Sequence, residues 1–314
     1  MKKILLIVIL ILITGCVNYV ELADIEVIEN LAIDYQDNKY KILVTTVIKD
    51  EEKKYEVKES YGSTLNDAIL NLKMKENKKI YIAHLNLLLL TEDVVDYNLE
   101  DVIKFFLNNS ESRNDFDVAL IKDINILEDS TDIRSQIQII EEDLATTKSI
   151  LFEELLSNLL EEKSTYLPII LENDKVEGIS IVRNYKDRIN ISKEECILYN
   201  FFDGEVKQTV FKETPISSSV TTYSFKDGVF TLEIIITTSG GNARINKELE
   251  KSIRDMFLKY KDMGVDIFDI ENKICNKNRK YCEKHDYSII DDITFKINVK
   301  LESEFSNDME VSLK

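Results

Sequence analysis

The clearest chemistry in this sequence belongs to Cys16, which ends a short apolar segment at the N-terminus. Two lysines precede ten consecutive apolar residues, 4–13. That run is about half the roughly 20 residues that a membrane-spanning helix requires, so we predict an export signal instead. Ile13-Thr14-Gly15-Cys16 fits the bacterial lipobox, in which diacylglycerol is attached to the cysteine sulfur and the chain is cut before it. The sequence predicts a signal at 1–15 and a lipid anchor at Cys16. The alternative is an ordinary signal followed by a chance cysteine.

The sequence does not decide the role of the other three cysteines, which are Cys196, Cys275 and Cys282. Cys275 and Cys282 could form a disulfide in an oxidising compartment, which would leave Cys196 over. Cys275, Cys282 and His285 are also candidate metal ligands, but their spacing matches no zinc motif and a fourth ligand is missing. We favour unpaired or singly bridged cysteines on a loop and predict no metal.

No catalytic constellation is recognisable in the chain. It has no Walker loop, no G-x-G-x-x-G, no H-E-x-x-H, no G-x-S-x-G and only two histidines. His84 lies in an apolar run, where we predict a hydrogen-bonded core histidine and not a ligand. Acidic pairs such as Glu141-Glu142 fall on helical patterns, where a solvated helix face is the default. We predict no cofactor and favour a binding or scaffolding protein over an enzyme.

The composition gives a strongly acidic surface. The net charge is −18 at pH 7, and loss of the two signal lysines makes it −20. Such a surface repels nucleic acid and anionic lipid headgroups. We therefore predict no nucleic-acid partner, and contact with the membrane through the acyl chains on Cys16.

The first half of the chain alternates strand and helix patterns. Residues 79–90 are apolar on both faces, which is typical of a central strand that is covered on both sides. Thr64 and Asp67 predict the cap of the preceding helix. This order favours a mixed sheet with crossover helices. The predicted elements are strands at 26–33, 40–48, 54–60, 79–90 and 116–122, with helices from Leu65 to Leu72 and from Leu99 to Phe106.

The second half begins with a helical pattern over 132–160. Ser192 and Glu195 predict a capping box before a short helix. Asp227-Gly228 is a strong hairpin signal between two alternating runs. The remaining predicted elements are strands at 167–171 and 179–184, a long helix from Leu249 to Tyr260, and a last strand from Ile293.

Several of these segments resemble the Ger(x)C spore germination lipoproteins, the C subunits of germinant receptors. Gly15-Cys16 is followed by Glu21-Leu22 and by Leu31-Ala32-Ile33-Asp34, as at the start of that family. The run from Lys79 to Leu85 resembles its Lys-(apolar)-Tyr-(apolar)-Gly-His-(apolar) segment, with Ala83 in place of the glycine. Phe105-Phe106-Leu107 and Arg113 resemble the helix end and arginine that follow. Weaker similarity continues through Leu167-Pro168 and Gly178 to the C-terminal helix and strand.

The resemblance implies a three-domain α+β protein behind its lipid anchor, each domain a mixed or antiparallel sheet with packed helices. We place the domains at 16–165, 166–210 and 211–314. The family implies a tether on the outer surface of the inner spore membrane, two membrane-embedded partners (the A-type and B-type subunits) and no enzymatic activity.

The candidate partner surface lies in the best-matched region, at Lys79, Lys104 and Arg113. The alternative function is a solute-binding lipoprotein of a transporter, which would require two lobes around a long cleft. A lipid-anchored hydrolase is a third class, but it lacks a nucleophile and a base.

Overall fold

The computed structural model describes residues 25–47, 55–76, 78–109, 111–129, 133–171, 175–185, 187–204, 206–238, 244–283 and 289–303. Within these ranges the largest sheet has nine strands and is mixed, as predicted. Its strands are β1 (Ile25–Gln36), β2 (Lys39–Val47), β3 (Tyr55–Gly62), β4 (Lys79–Tyr81), β5 (Leu87–Thr91), β6 (Asp117–Ile121), β7 (Thr165–Ile170), β8 (Val176–Arg183) and β9 (Asp187–Ile191).

The order across the sheet is β3-β2-β1-β5-β6-β7-β8-β9, with β4 also paired to β1. Strands β1, β5, β6 and β7 are parallel neighbours, and the outer strands are antiparallel. The charged β3 lies at an edge, as its composition predicts. The helices among these strands are α1 (Leu65–Glu76), α2 (Glu92–Tyr97), α3 (Leu99–Asn108), α4 (Ile126–Asp129), α5 (Ile133–Leu144) and α6 (Phe152–Leu160).

Helices cover both faces of the central strands. In β5, Leu88 and Leu90 face the core that α1, α2, α3 and α6 share, whereas Leu87 and Leu89 face the smaller core under α4 and α5. Successive side chains of a strand point to opposite faces, so an uninterrupted apolar run requires cover on both sides. The prediction of a doubly covered central strand is therefore confirmed for β5.

The predicted strand at 79–90 is interrupted. Its first part forms β4 and its second part β5, and residues 82–86 turn between them. Both parts pair with β1, because Tyr81 lies opposite Val27 and Leu87 opposite Asn30. Between these two pairings, residues 82–86 lie opposite only residues 28 and 29 of β1. The additional residues cannot pair with β1, and they form the turn between β4 and β5.

The helical pattern over 132–160 is also interrupted, because residues 145–151 separate α5 from α6. Ala145 has a φ of 54° and ends the first helix. In the intervening segment, the amide of Ser149 donates to the Glu141 carboxylate at 3.0 Å. The buried Thr147 hydroxyl donates to the carbonyl of Gly178 at 3.1 Å. These contacts fix the segment against α5 and β8, which the helical periodicity alone does not reveal.

The C-terminal part contains a three-stranded sheet backed by a long helix. The predicted hairpin is confirmed, with Asp227 and Gly228 both at positive φ in its turn. Apolar residues of the long helix pack on the sheet, including Leu249, Ile253 and Phe257. The elements of the remaining chain are α7 (Lys193–Asp203), β10 (Thr209–Phe211), β11 (Thr214–Ile216), β12 (Ser218–Lys226), β13 (Val229–Thr238), α8 (Ile245–Asp262), α9 (Ile270–Lys277), α10 (Arg279–Cys282), α11 (Ile289–Asp292) and β14 (Thr294–Ser303).

Helix α7 joins the two sheets. Its predicted capping box is present, and every residue from Cys196 to Phe202 is buried. Asn200 donates to the carbonyls of Ala145 and Thr147, while the Phe202 ring stacks at 4.0 Å from that of Phe268. One core therefore runs from the large sheet into the C-terminal part.

The division at 16–165, 166–210 and 211–314 stays a prediction. Strand β7, which begins at Thr165, continues the large sheet by pairing with β6 on one side and β8 on the other. The first predicted boundary therefore falls within hydrogen-bonded sheet structure.

Candidate functional site

A cleft of about 290 Å³ opens beside the C-terminal end of β1, between the start of α1 and one face of α3. Tyr40, Leu65 and Phe105 are buried and give the cleft an apolar surface. Asp101 and Lys104, one turn apart on α3, are exposed lining residues of opposite charge. The cleft thus combines aromatic surface with both signs of charge.

The local sequence explains how these side chains are presented. Helix α3 buries Leu99, Val102, Ile103 and Phe106 at helical spacing, and this stripe leaves Asp101 and Lys104 on the opposite side. Helix α1 begins as predicted, because the amide of Asp67 donates to the Thr64 hydroxyl at 3.1 Å.

The charged groups at the cleft are not paired with each other. The Tyr40 hydroxyl donates to Asp101 Oδ2 at 3.3 Å, and Lys104 Nζ lies 2.7 Å from Glu100 Oε1. Burial, and then the Asp101 charge, hold the pKa of Tyr40 above its usual value, so Tyr40 is a neutral donor at physiological pH. The bond to Glu100 raises the pKa of Lys104.

The three residues of the candidate partner surface lie apart from one another. Lys79 pairs with Ile25 at the start of β1, whereas Lys104 and Tyr35, near the end of β1, line the same cleft. Ten residues of extended strand separate the two ends of β1 by roughly 33 Å. Arg113 is exposed in the loop before β6. The surface stays a prediction. Lys104 lies toward the opposite end of β1 from Lys79, whereas Arg113 precedes β6, which runs parallel to β1 and β5 and so begins toward the Lys79 end of the sheet.

The prediction for His84 is wrong. The residue lies in the turn between β4 and β5 and is exposed, with its ring 5.9 Å from that of Tyr81. The cause is the interruption of the predicted strand, which takes His84 out of the buried run.

The structure decides between a disulfide and a metal site for Cys275 and Cys282. Cys275 and Cys282 form a disulfide between α9 and α10, so neither is available as a metal ligand. Cys196 is free and buried in α7, where burial raises the pKa of its thiol. Cys16 and His285 lie outside the described residues. Within the described ranges no cluster of three or more His, Cys, Asp or Glu side chains is placed to hold a metal ion.

A partly buried ion cluster, which sequence reasoning missed, links three segments of the chain. Asp203 at the end of α7 accepts from Lys148, in the segment after α5, and from Lys273 of α9 at 3.2 Å. Burial opposes ionisation of Asp203, but the two ammonium groups outweigh it and hold the pKa of that carboxyl at about 2. Lys148 also lies 4.9 Å from the centre of the Tyr166 ring. The cluster fixes the large sheet to the C-terminal part.

A second polar contact joins strand β9 to helix α2. Arg188 of β9 binds Asp96 through two nitrogens, at 2.6 and 3.0 Å, and reaches Glu92 at 3.0 Å. Two hydrogen bonds between a guanidinium and a carboxylate fix orientation as well as distance. Both clusters bind segments of this chain together, so they explain stability and not chemistry on a ligand. Among the described helices, none combines the length and the apolarity that a bilayer crossing needs.

Comparison with known proteins identifies the class to which this fold belongs. The sequence model described as "Spore germination protein N-terminal domain" matches residues 18–171. That range holds the cleft, and the matched chain enters the sheet at β1 and leaves it at the end of β7. None of the curated proteins compared with the chain matches it.

A solved structure described as the crystal structure of the GerBC protein is similar over most of the chain. The TM-score is 0.52 at 17% sequence identity, and the alignment covers 86% of this chain and 96% of GerBC. At that identity the likeness shows the fold alone. Together with the matched N-terminal domain, it confirms the α+β architecture. The chain belongs to the Ger(x)C family of spore germination proteins, the C subunits of germinant receptors.

Proposed function

We propose that this chain is a lipid-anchored, non-catalytic subunit of a nutrient germinant receptor that assembles with A-type and B-type membrane subunits. The observation that carries the proposal is the match of residues 18–171 to the spore germination N-terminal domain. The predicted lipobox supports it, because a tether would hold the body beside membrane-embedded partners on the outer surface of the inner spore membrane.

The tether limits where the body can lie. Nine residue steps separate Cys16 from Ile25, and a fully extended chain spans at most about 3.6 Å per residue, or roughly 32 Å. The start of β1, with Lys79 beside it, therefore stays within that distance of the lipid. Such confinement raises the effective concentration of the body for a membrane partner, so weak polar contacts suffice for assembly. We place the partner surface near this end of the sheet, at Lys79 and Arg113.

The anchor is tested by Cys16→Ala, which removes the only sulfur at the lipobox. We expect the variant to lack lipid by mass spectrometry and to leave the membrane fraction. Cys196→Ala is the matched control, because Cys196 is buried far along the chain and should not affect retention. Retention of the Cys16→Ala protein in the membrane would contradict the anchor.

The receptor role is tested by deletion of the gene. Spores should lose or slow their response to one class of nutrient, while germination by a receptor-independent route stays intact. A normal response to every nutrient would contradict the role. The solute-binding alternative requires two lobes around a long cleft, and no feature of the described fold favours it.

A further inference from the structure

We propose that the end of α1 and the start of β4 form a docking surface for anionic lipid headgroups, with Met74 entering the bilayer interface. The inference rests on the lipid anchor of the proposed function, but not on the receptor partners. Three observations carry it: the place of this surface relative to the anchor, three lysines without carboxylate partners, and an exposed apolar stripe between two of them.

The first step concerns position. Helix α1 ends at Glu76, whose carboxylate accepts from Lys58 Nζ at 2.7 Å, and the same ammonium binds Glu26 of β1. Lys78 Nζ lies 3.8 Å from the other carboxylate oxygen of Glu26. These ion pairs fix the end of α1 beside the start of β1, which the tether holds within roughly 32 Å of the lipid.

The second step concerns charge. Within the described ranges, the ion pairs at this end of the sheet involve other lysines, and Lys73, Lys75 and Lys79 have no carboxylate partner. Lys75 Nζ reaches only the carbonyl oxygen of Glu59, at 3.4 Å. Anionic headgroups attract lysines at the membrane surface, and this attraction falls off within about 8 Å at physiological salt. The net charge of −18 on the whole chain therefore does not cancel a local cluster of cations.

The third step concerns the apolar stripe. Leu70 and Met74 lie one turn apart on α1 and are 53% and 65% exposed, whereas the other four apolar residues of the helix are buried. At 3.6 residues per turn, Lys73 and Lys75 lie on either side of Met74. Lysines in the last turn also complement the helix dipole, but the dipole does not explain apolar side chains that face solvent. Lysines that flank an apolar stripe are typical of helices at a membrane interface, where the ammonium groups reach the headgroups.

The size of the surface favours a lipid over a protein partner. Two apolar side chains and three lysines are far fewer than the roughly 20–30 residues that a stable protein interface uses on each side. A tethered body needs no such area, because the anchor already raises its effective concentration at the bilayer. Weak contacts with headgroups therefore suffice to orient it.

Collisional quenching in vesicles tests the docking with the full lipidated chain. Met74→Cys carries a nitrobenzoxadiazole fluorophore, and Tyr97→Cys carries the same label on α2, which begins at the opposite end of the sheet. Cys196 is buried and Cys275 is in a disulfide, so neither reacts with the label. The vesicles are pure phosphatidylcholine or an equimolar mixture with phosphatidylglycerol, and all contain a nitroxide-labelled lipid as the quencher.

We expect the label at Met74→Cys to be quenched in the anionic vesicles and not in the neutral ones, and the label at Tyr97→Cys to stay unquenched in both. Each lysine near an anionic surface should change the ratio of docked to undocked chain about fivefold. The triple variant Lys73→Gln, Lys75→Gln and Lys79→Gln should therefore lower that ratio about 100-fold and abolish the quenching.

A matched control removes the same charge elsewhere. Lys247→Gln, Lys251→Gln and Lys296→Gln change three exposed lysines of the C-terminal part and should leave the quenching unaltered. Equal quenching in both kinds of vesicle, no quenching in the anionic ones, or unchanged quenching in the first triple variant would overturn the docking surface alone. A chain that is absent from both kinds of vesicle would overturn the anchor and the docking together.

Discussion

Asp203→Asn tests whether the ion cluster holds the two parts of the fold together. The substitution keeps the size of the side chain but leaves Lys148 and Lys273 without a counter-ion, although each lysine side chain is less than one-fifth exposed. Stranding a buried charge costs about 3–5 kcal/mol, and the partial exposure here places the expected cost near the lower end. The lowered pKa gives a second value for the same stabilisation: a fall from 3.8 to about 2 corresponds to about 2 kcal/mol.

The sign of the pH dependence follows from the lowered pKa. A carboxyl whose pKa is lower in the folded protein stabilises it fully above pH 3.8, and this contribution is lost as the pH falls toward 2. Urea unfolding at pH 7 should therefore show Asp203→Asn to be less stable by about 2–3 kcal/mol. Near pH 2 the difference from the native chain should shrink.

A matched control removes the charge from an exposed pair. Glu142 binds Lys207 and both side chains are more than half exposed, so Glu142→Gln should cost less than about 1 kcal/mol. Adding Lys273→Met to Asp203→Asn removes one stranded cation and should recover part of the stability. If Asp203→Asn costs no more than the control, or costs the same at pH 2 as at pH 7, the reasoning is refuted.

Three further predictions concern a buried carboxyl, a disulfide and an exposed histidine. Burial raises the pKa of Asp266 to about 6, so its ionisation lowers stability as the pH rises from 3.8 to 6. Asp266→Asn should then raise the free energy of unfolding by up to about 3 kcal/mol at pH 7 and by little at pH 4, measured by urea unfolding. Cys275→Ser opens the disulfide with Cys282 and should cost about 2–3 kcal/mol, with a melting temperature that dithiothreitol no longer lowers. His84→Ala should change stability by less than about 0.5 kcal/mol, because the side chain is exposed; a larger loss in thermal melting would restore the core interpretation.

Local signals in the sequence predicted local structure well. The Asp227-Gly228 turn and the Ser192-Glu195 capping box are both present where the residue types indicate them. These features depend on backbone preferences of a few adjacent residues, and the fold does not override them. The doubly covered β5 was likewise readable from its uninterrupted leucines.

The failures share a long-range cause. The predicted strand at 79–90 is interrupted where its pairing register with β1 changes. The predicted helix at 132–160 is interrupted where Thr147 hydrogen-bonds to Gly178 of β8 and Ser149 to the Glu141 side chain of α5.

The first break leaves no mark in hydrophobic periodicity, since Ile82, Ala83 and Leu85 continue the apolar run. The second break falls at the four polar residues 146–149, which a helix can also carry on its exposed face. His84 was misplaced because of the first break.

The charged sites were not predictable from spacing. Nothing beside Asp203 in the sequence indicates an ion pair, because its partners Lys148 and Lys273 are 55 and 70 residues away. The run 196–202, in which every residue except Asn200 is apolar or aromatic, is the sequence signal that indicates an enclosed helix, and all seven residues are buried in α7. For the cleft, the opposite charges of Asp101 and Lys104 on the exposed side of an amphipathic helix were readable, but the aromatic surface opposite them was not.

The central claim is that this chain assembles with two membrane subunits, and chemical cross-linking in intact spore membranes tests it most directly. Single cysteines introduced at Lys79 and at Arg113, in a chain that keeps Cys16, would carry a photoactivatable cross-linker; a cysteine at Lys226, on the exposed end of the C-terminal hairpin, is the control. The account predicts that the first two positions capture a multi-span A-type or B-type subunit identified by mass spectrometry, and that the control does not. Capture of no membrane protein from Lys79 or Arg113, in membranes that retain the anchored chain, would contradict it.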